Sequence, residues 1–128
     1  MAAIAPRRAA WLIAAGRVVL GAAVLIAPRQ TTSRWLGEEN AAHPAVGDLA
    51  RGLAARDIAL GVAVLSTLGD PRVGPRVQLG CALADGADVL GTVLARRHLP
   101  AMAAAATVAI AGGASVAGVY LARRLAGA

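Results

Sequence analysis

Apolar positions gather into four long runs, at residues 9–27, 46–68, 76–95 and 100–122. A helix rises about 1.5 Å per residue, so each run is long enough to cross a hydrocarbon layer of about 30 Å. Pro28 stops the first run, because proline cannot continue the hydrogen-bond ladder, and Pro100 suits the first turn of the fourth. The pattern predicts an all-α, four-transmembrane-helix bundle, a single integral membrane domain over 1–128. Its longest polar stretch is a loop at 28–45, where Trp35 and Leu36 suit a lipid–water interface and Gly37 and Pro44 mark turns around a short interfacial helix. Two other readings compete. A basic start before an apolar run is also the pattern of a signal peptide, but this run is long, carries Arg17 midway and reaches Ala27-Pro28 without a small-x-small cleavage pattern. A soluble helical bundle is the second, since alanine contributes little to membrane insertion.

Charged residues inside the runs change the picture, because charge at that depth is costly and normally has a partner or a task. Arg17 lies near the middle of the first run, Arg51, Arg56 and Asp57 in the second, and Asp85 and Asp88 in the third. Counted along each run, Arg17, Arg56, Asp57, Asp85 and Asp88 fall within about one helical turn of a common midplane. At about 100° per residue Asp85 and Asp88 share a helix face, with Gln78, Cys81 and Thr92 completing a polar stripe. Three arginines and three aspartates would form a neutral, mutually paired cluster, for which the bidentate guanidinium is well suited. The fourth run has no internal charge; its row of Ala103, Thr107, Ala111 and Ser115 allows close helix packing, as Gly21 does beside Arg17.

Composition supports the membrane reading. Hydrophobic residues make up 58% of 128 and mean hydropathy is +0.63. The net charge of +6 is carried by arginines with no basic helix face, aromatic interleaving or nucleic-acid motif. The charges suit loops facing anionic lipid instead. With four spans both termini share a side, which carries Arg7, Arg8, Arg72, Arg76, Arg123 and Arg124 against Arg29, Arg34, Arg96 and Arg97 opposite; this bias favours cytoplasmic termini. One cysteine, Cys81, rules out an intrachain disulfide. Asp85-Gly86 is shared with membrane phosphotransferases that use CDP-linked alcohols, but the further aspartates and the Ala-Arg of that pattern are missing. Two aspartates supply too few oxygens for Mg²⁺ or Ca²⁺, His43 and His98 sit in loops, and no nucleophile–base constellation is present. No metal, cofactor or catalytic residue is therefore expected.

Arg51-Gly52-x-x-Ala55-Arg56-Asp57-x-x-Leu60-Gly61, followed by Ala84-Asp85-x-x-Asp88 and preceded by Arg17-x-x-x-Gly21 and Pro28, resembles a set of small four-helix actinobacterial membrane proteins, a domain-of-unknown-function family (number 4267). The resemblance runs from about Arg17 to Arg97. It implies a multi-pass protein of the bacterial inner membrane and brings no established activity. The expected role is structural or accessory, with the Arg/Asp cluster holding the bundle together, the lipid bilayer as partner, and a homo-oligomer or another membrane protein as further partner. A proton-coupled carrier using Asp85 and Asp88 is the alternative, and a lipid-modifying enzyme the third.

Overall fold

The computed structural model describes residues 5–127. Among them every regular element is helical. Four long helices, α1 (Pro6–Ile26), α4 (Pro44–Thr67), α5 (Gly74–Ala95) and α6 (Ala101–Ala126), are joined by two short ones, α2 (Pro28–Leu36) and α3 (Glu38–Ala41), by a tight turn, and by a 3₁₀ turn at Arg96–His98. Prolines punctuate the chain: Pro6, Pro28, Pro44 and Pro75 each sit in the first turn of a helix and Pro100 caps α6. There the missing N–H costs nothing and the fixed φ is already helical. The stretch expected as a polar loop is thus mostly helical. Gly37, at φ +83°, breaks it into α2 and α3, a backbone conformation that favours glycine.

The long helices run alternately up and down and associate as two close pairs, α1 with α4 and α5 with α6, while the pairs touch each other more sparingly. Glycine explains the closeness. A Cβ on Gly21 would come within 2.8 Å of the Ala54 carbonyl oxygen, and one on Gly61 within 2.8 Å of the Ala14 carbonyl oxygen. These two positions meet reciprocally along the α1–α4 seam. In the second pair, a Cβ on Gly118 would lie 2.8 Å from that of Ala82, and Ser115 Oγ donates 2.8 Å to the Ala82 carbonyl. Small residues at a seam let backbones approach, which gives dense van der Waals contact without large side chains. The row on α6 is spent in this way: Ala103 and Ala111 are buried inside the bundle.

The interior is correspondingly built of alanine and glycine, with Val64, Cys81, Leu121 and Leu125 as its larger apolar members. The large apolar side chains point outward. Leu20 is 69% exposed, Ile26 84%, Leu94 75% and Ile110 72%. Three helical segments are long and apolar enough to cross a membrane: Pro6–Ile26, Gly74–His98 and Ala101–Ala126. The fourth, α4, matches them in length but not in apolarity, because it carries Asp48, Arg51, Arg56 and Asp57.

Two ends of the bundle are locally fastened. Trp35 Nε1 donates to the Ala103 carbonyl at 3.2 Å, tying α2 to the start of α6. At the opposite end, Asp70 Oδ1 accepts from the Arg72 N–H at 2.8 Å and the Val73 N–H at 3.0 Å, closing the α4–α5 turn. These two donors hold the Asp70 carboxyl below its ordinary range. Since its folded pKa is depressed, the contribution to turn stability is present above the unfolded pKa of about 3.9 and is lost as pH falls through the folded value.

Three outcomes follow. Gly61→Val should part α1 from α4 and cost about 1–3 kcal/mol in unfolding. Gly113→Ala, which meets nothing within 4 Å, should be neutral or stabilise by up to about 1 kcal/mol. On acidification below about pH 4, protection of the Arg72 and Val73 amides, measured against the intrinsic exchange rate at each pH, should fall in the wild type, and in Asp70→Asn that protection should no longer change with pH.

A candidate site of paired charges at mid-bundle

Arg17 stands near the middle of α1, on the face turned towards α4 and α5. Its Nη1 donates to Asp57 Oδ1 on α4 at 3.0 Å, and its Nη2 donates to Asp85 Oδ1 on α5 at 2.6 Å and also to Asp85 Oδ2. Arg56, on α4, grips Asp88 of α5 with both ends of its fork, Nη1 to Oδ1 at 2.9 Å and Nη2 to Oδ2 at 2.6 Å. Its Nη2 also reaches Asp57 Oδ1 at 3.2 Å. One oxygen of Asp57 therefore accepts from both guanidiniums and joins the two pairs into a five-residue network over three helices.

The spacing of the sequence places these groups. Asp85 and Asp88 are three residues apart on α5 and share a face, so one reaches towards α1 and the other towards α4. Arg56 and Asp57 are adjacent, so they diverge by about 100° around α4, one facing α5 and the other α1. Arg17 and Asp85 are the most enclosed members, with side chains 12% and 8% exposed; Arg56, Asp57 and Asp88 are each about one-third exposed.

Five of the six charges read from the sequence meet in this way. Arg51 does not. Its guanidinium is half exposed and pairs with Asp48, one turn away on α4, at 3.3 Å. Arg51 and Arg56 are five residues apart, about 140° around the helix, so they face different ways. The cluster is then two guanidiniums against three carboxylates, with one net negative charge in place of the expected neutrality.

The polar stripe on α5 divides similarly. Gln78 and Cys81 are buried beside Asp85, and Cys81 Sγ lies 3.8 Å from the Leu60 carbonyl oxygen. Thr92 turns back on its own helix and donates to the Asp88 carbonyl at 2.7 Å. Sequence reasoning did not anticipate that Gln78 Oε1 would be buried with no hydrogen-bond partner, nor that Arg56 Nε would be left the same way. An unmet buried acceptor costs about 1–3 kcal/mol. Among the described residues no group of three or more His, Cys, Asp or Glu is arranged to hold a metal ion.

Chemically, the arrangement cross-links helices. Every aspartate in it accepts from an arginine; Arg17–Asp85 and Arg56–Asp88 run between helices whose backbones touch little, while Arg17–Asp57 lies within the close α1–α4 pair. Set against protein-family models, curated proteins and solved structures, the chain matches none.

Removing one member strands its partner. Arg17→Gln and Asp85→Asn should each lower unfolding stability by about 3–5 kcal/mol in denaturant titrations. The pair Arg17→Met with Asp85→Leu should recover most of that loss, because it leaves neither charge stranded between the two. Arg51→Gln, at an exposed pair, should cost no more than about 1 kcal/mol.

Proposed function

We propose that the chain is a small, four-helix integral membrane protein of structural or accessory type, in which the Arg/Asp cluster locks two helix pairs into one bundle. The observation that supports the membrane placement best is the inverted distribution of side chains, with alanine and glycine inside and Leu, Ile, Val and Met outside. Water-soluble monomers seldom expose apolar surface so continuously, whereas in lipid such a surface is the solvated one. The α4 helix joins the other three as a fourth span because its mid-helix charges, Arg56 and Asp57, are turned onto partners and its remaining pair, Asp48 and Arg51, lies in its first two turns. There the headgroup region would receive them. Trp11 near the start of α1 and Tyr120 near the end of α6 are half exposed at one end, and the Arg124 guanidinium lies 5.3 Å from the centre of the Tyr120 ring. These amphipathic groups suit an interface.

On this reading the protein is a multi-pass component of a bacterial inner membrane. Its termini face the cytoplasm by the six-to-four arginine bias, and it belongs with the four-helix family of unknown function that its Arg-Asp and Asp-x-x-Asp motifs resemble. The cluster's single excess negative charge favours a second reading, a proton-coupled carrier working through Asp85 and Asp88. The structural reading is preferred because each carboxylate is already engaged by a guanidinium and the cavity beside the cluster measures only about 10 Å³.

Membranes from cells expressing the protein, washed at alkaline pH, should retain it until detergent is added; release into plain buffer would overturn the membrane placement. Asp85→Asn and Asp88→Asn should fail to accumulate or should unfold in detergent. Normal folding of both, with loss of a proton flux that wild-type protein shows in vesicles, would replace the structural reading with the carrier.

A further inference from the structure

Beside the Arg17–Asp85 pair the four long helices leave a small, narrow space. Ala14 and Arg17 of α1, Gly61 of α4, Gln78 and Asp85 of α5 and Ala114 of α6 contribute to its wall. Its volume is about 10 Å³, close to that of one water-sized sphere. Gln78 and Asp85 stand two turns apart on one face of α5 and are only 4% and 6% exposed. Gln78 Oε1 has no partner within the protein. The space is therefore narrow, polar at Arg17, Gln78 and Asp85, and bounded by an acceptor that lacks a donor among the described residues.

We infer that this cavity is a built site for one water molecule, which donates one hydrogen bond to Gln78 Oε1 and the other to the Asp85 carboxylate. Both wall groups accept and water has two hydrogens to give, so the stoichiometry closes. Water both donates and accepts, so it serves the Gln78 amide in either orientation. A metal ion fits poorly, because the wall offers two oxygen-bearing side chains and the Arg17 guanidinium beside them. The rest of the wall, from Ile13, Ala14, Gly61, Val64, Cys81 and Ala114, is apolar or weakly polar, so the water finds its strong partners at Gln78 and Asp85. The inference rests on the cavity and holds whichever solvent surrounds the helices.

The chain has two glutamines, Gln30, which is exposed, and the buried Gln78, so selective ¹⁵N-glutamine labelling isolates the site with an internal control. In detergent-solubilised protein, the Gln78 side-chain amide should show water cross-peaks that change sign between laboratory-frame and rotating-frame Overhauser spectra, the signature of a long-lived water. Gln30 should show only exchange peaks of unchanged sign. Ala114→Val fills the cavity without altering Gln78 and should remove the sign-changing peak. Absence of that peak in the wild type would mean a dry cavity and overturn the site, as would its persistence in Ala114→Val.

Discussion

The Arg17 guanidinium is the constraint on which the rest of the bundle depends. It sits on α1 and holds Asp57 of the neighbouring α4 with one nitrogen and Asp85 of the diagonally placed α5 with another. Beyond it, α1–α4 and α5–α6 meet through small apolar contacts, Ala10 with Leu121 and Leu125 and Ala14 and Val64 with Cys81, and through Trp35 reaching Ala103. Arg56 and Asp88 make the second crossing, from α4 to α5, and the shared Asp57 oxygen couples the two. Ion pairs at such low exposure are geometrically demanding, because each charge gives up solvation that only a correctly placed partner restores. They stabilise the bundle less than their Coulomb energy suggests, yet they strongly disfavour any other register of the two pairs.

The glycine seams and the ion cluster divide the work. Close contact at Gly21, Gly61 and Gly118 builds each pair from backbone packing, for which alanine and glycine are sufficient. Such seams are nearly featureless and specify angle and register weakly. The cluster supplies that specificity at one level of the bundle. This division also fits the absence, among the described residues, of any large side chain that is fully buried: apart from Val64, Leu121 and Leu125, which are nearly so, most Leu, Ile and Val face outward or lie part-way in.

Much of this was legible in the sequence. The four long helices follow from apolar runs bounded by prolines, and Arg17, Arg56, Asp57, Asp85 and Asp88 stand out because charge recurs at one depth in three runs. The role of Gly21 as a point of close approach beside Arg17 was also readable from the face they share. Arg51 was included by counting charges, although it lies outside the common depth; five residues from Arg56 and offset by about 140°, it turns to Asp48 instead. A short interfacial helix was expected within 28–45, but the extent of helix over 28–41 was hidden by polar composition, since α2 owes its start to Pro28 and its anchorage to Trp35 reaching Ala103, a contact 68 residues distant. The unmet Gln78 acceptor was not legible, because a stripe position does not reveal whether a partner stands opposite.

The central claim is that the charge cluster sets how the two helix pairs sit against each other, while close backbone packing does most of the work within each pair. Distances between spin labels test it most directly, with one label pair across α1 and α4, a second across α5 and α6, and a third across α1 and α5. In a variant carrying Arg17→Met and Arg56→Met, the account predicts that the first two distance distributions stay as in the wild type while the third broadens and lengthens. An unchanged α1–α5 distribution, or loss of all three together, would contradict it.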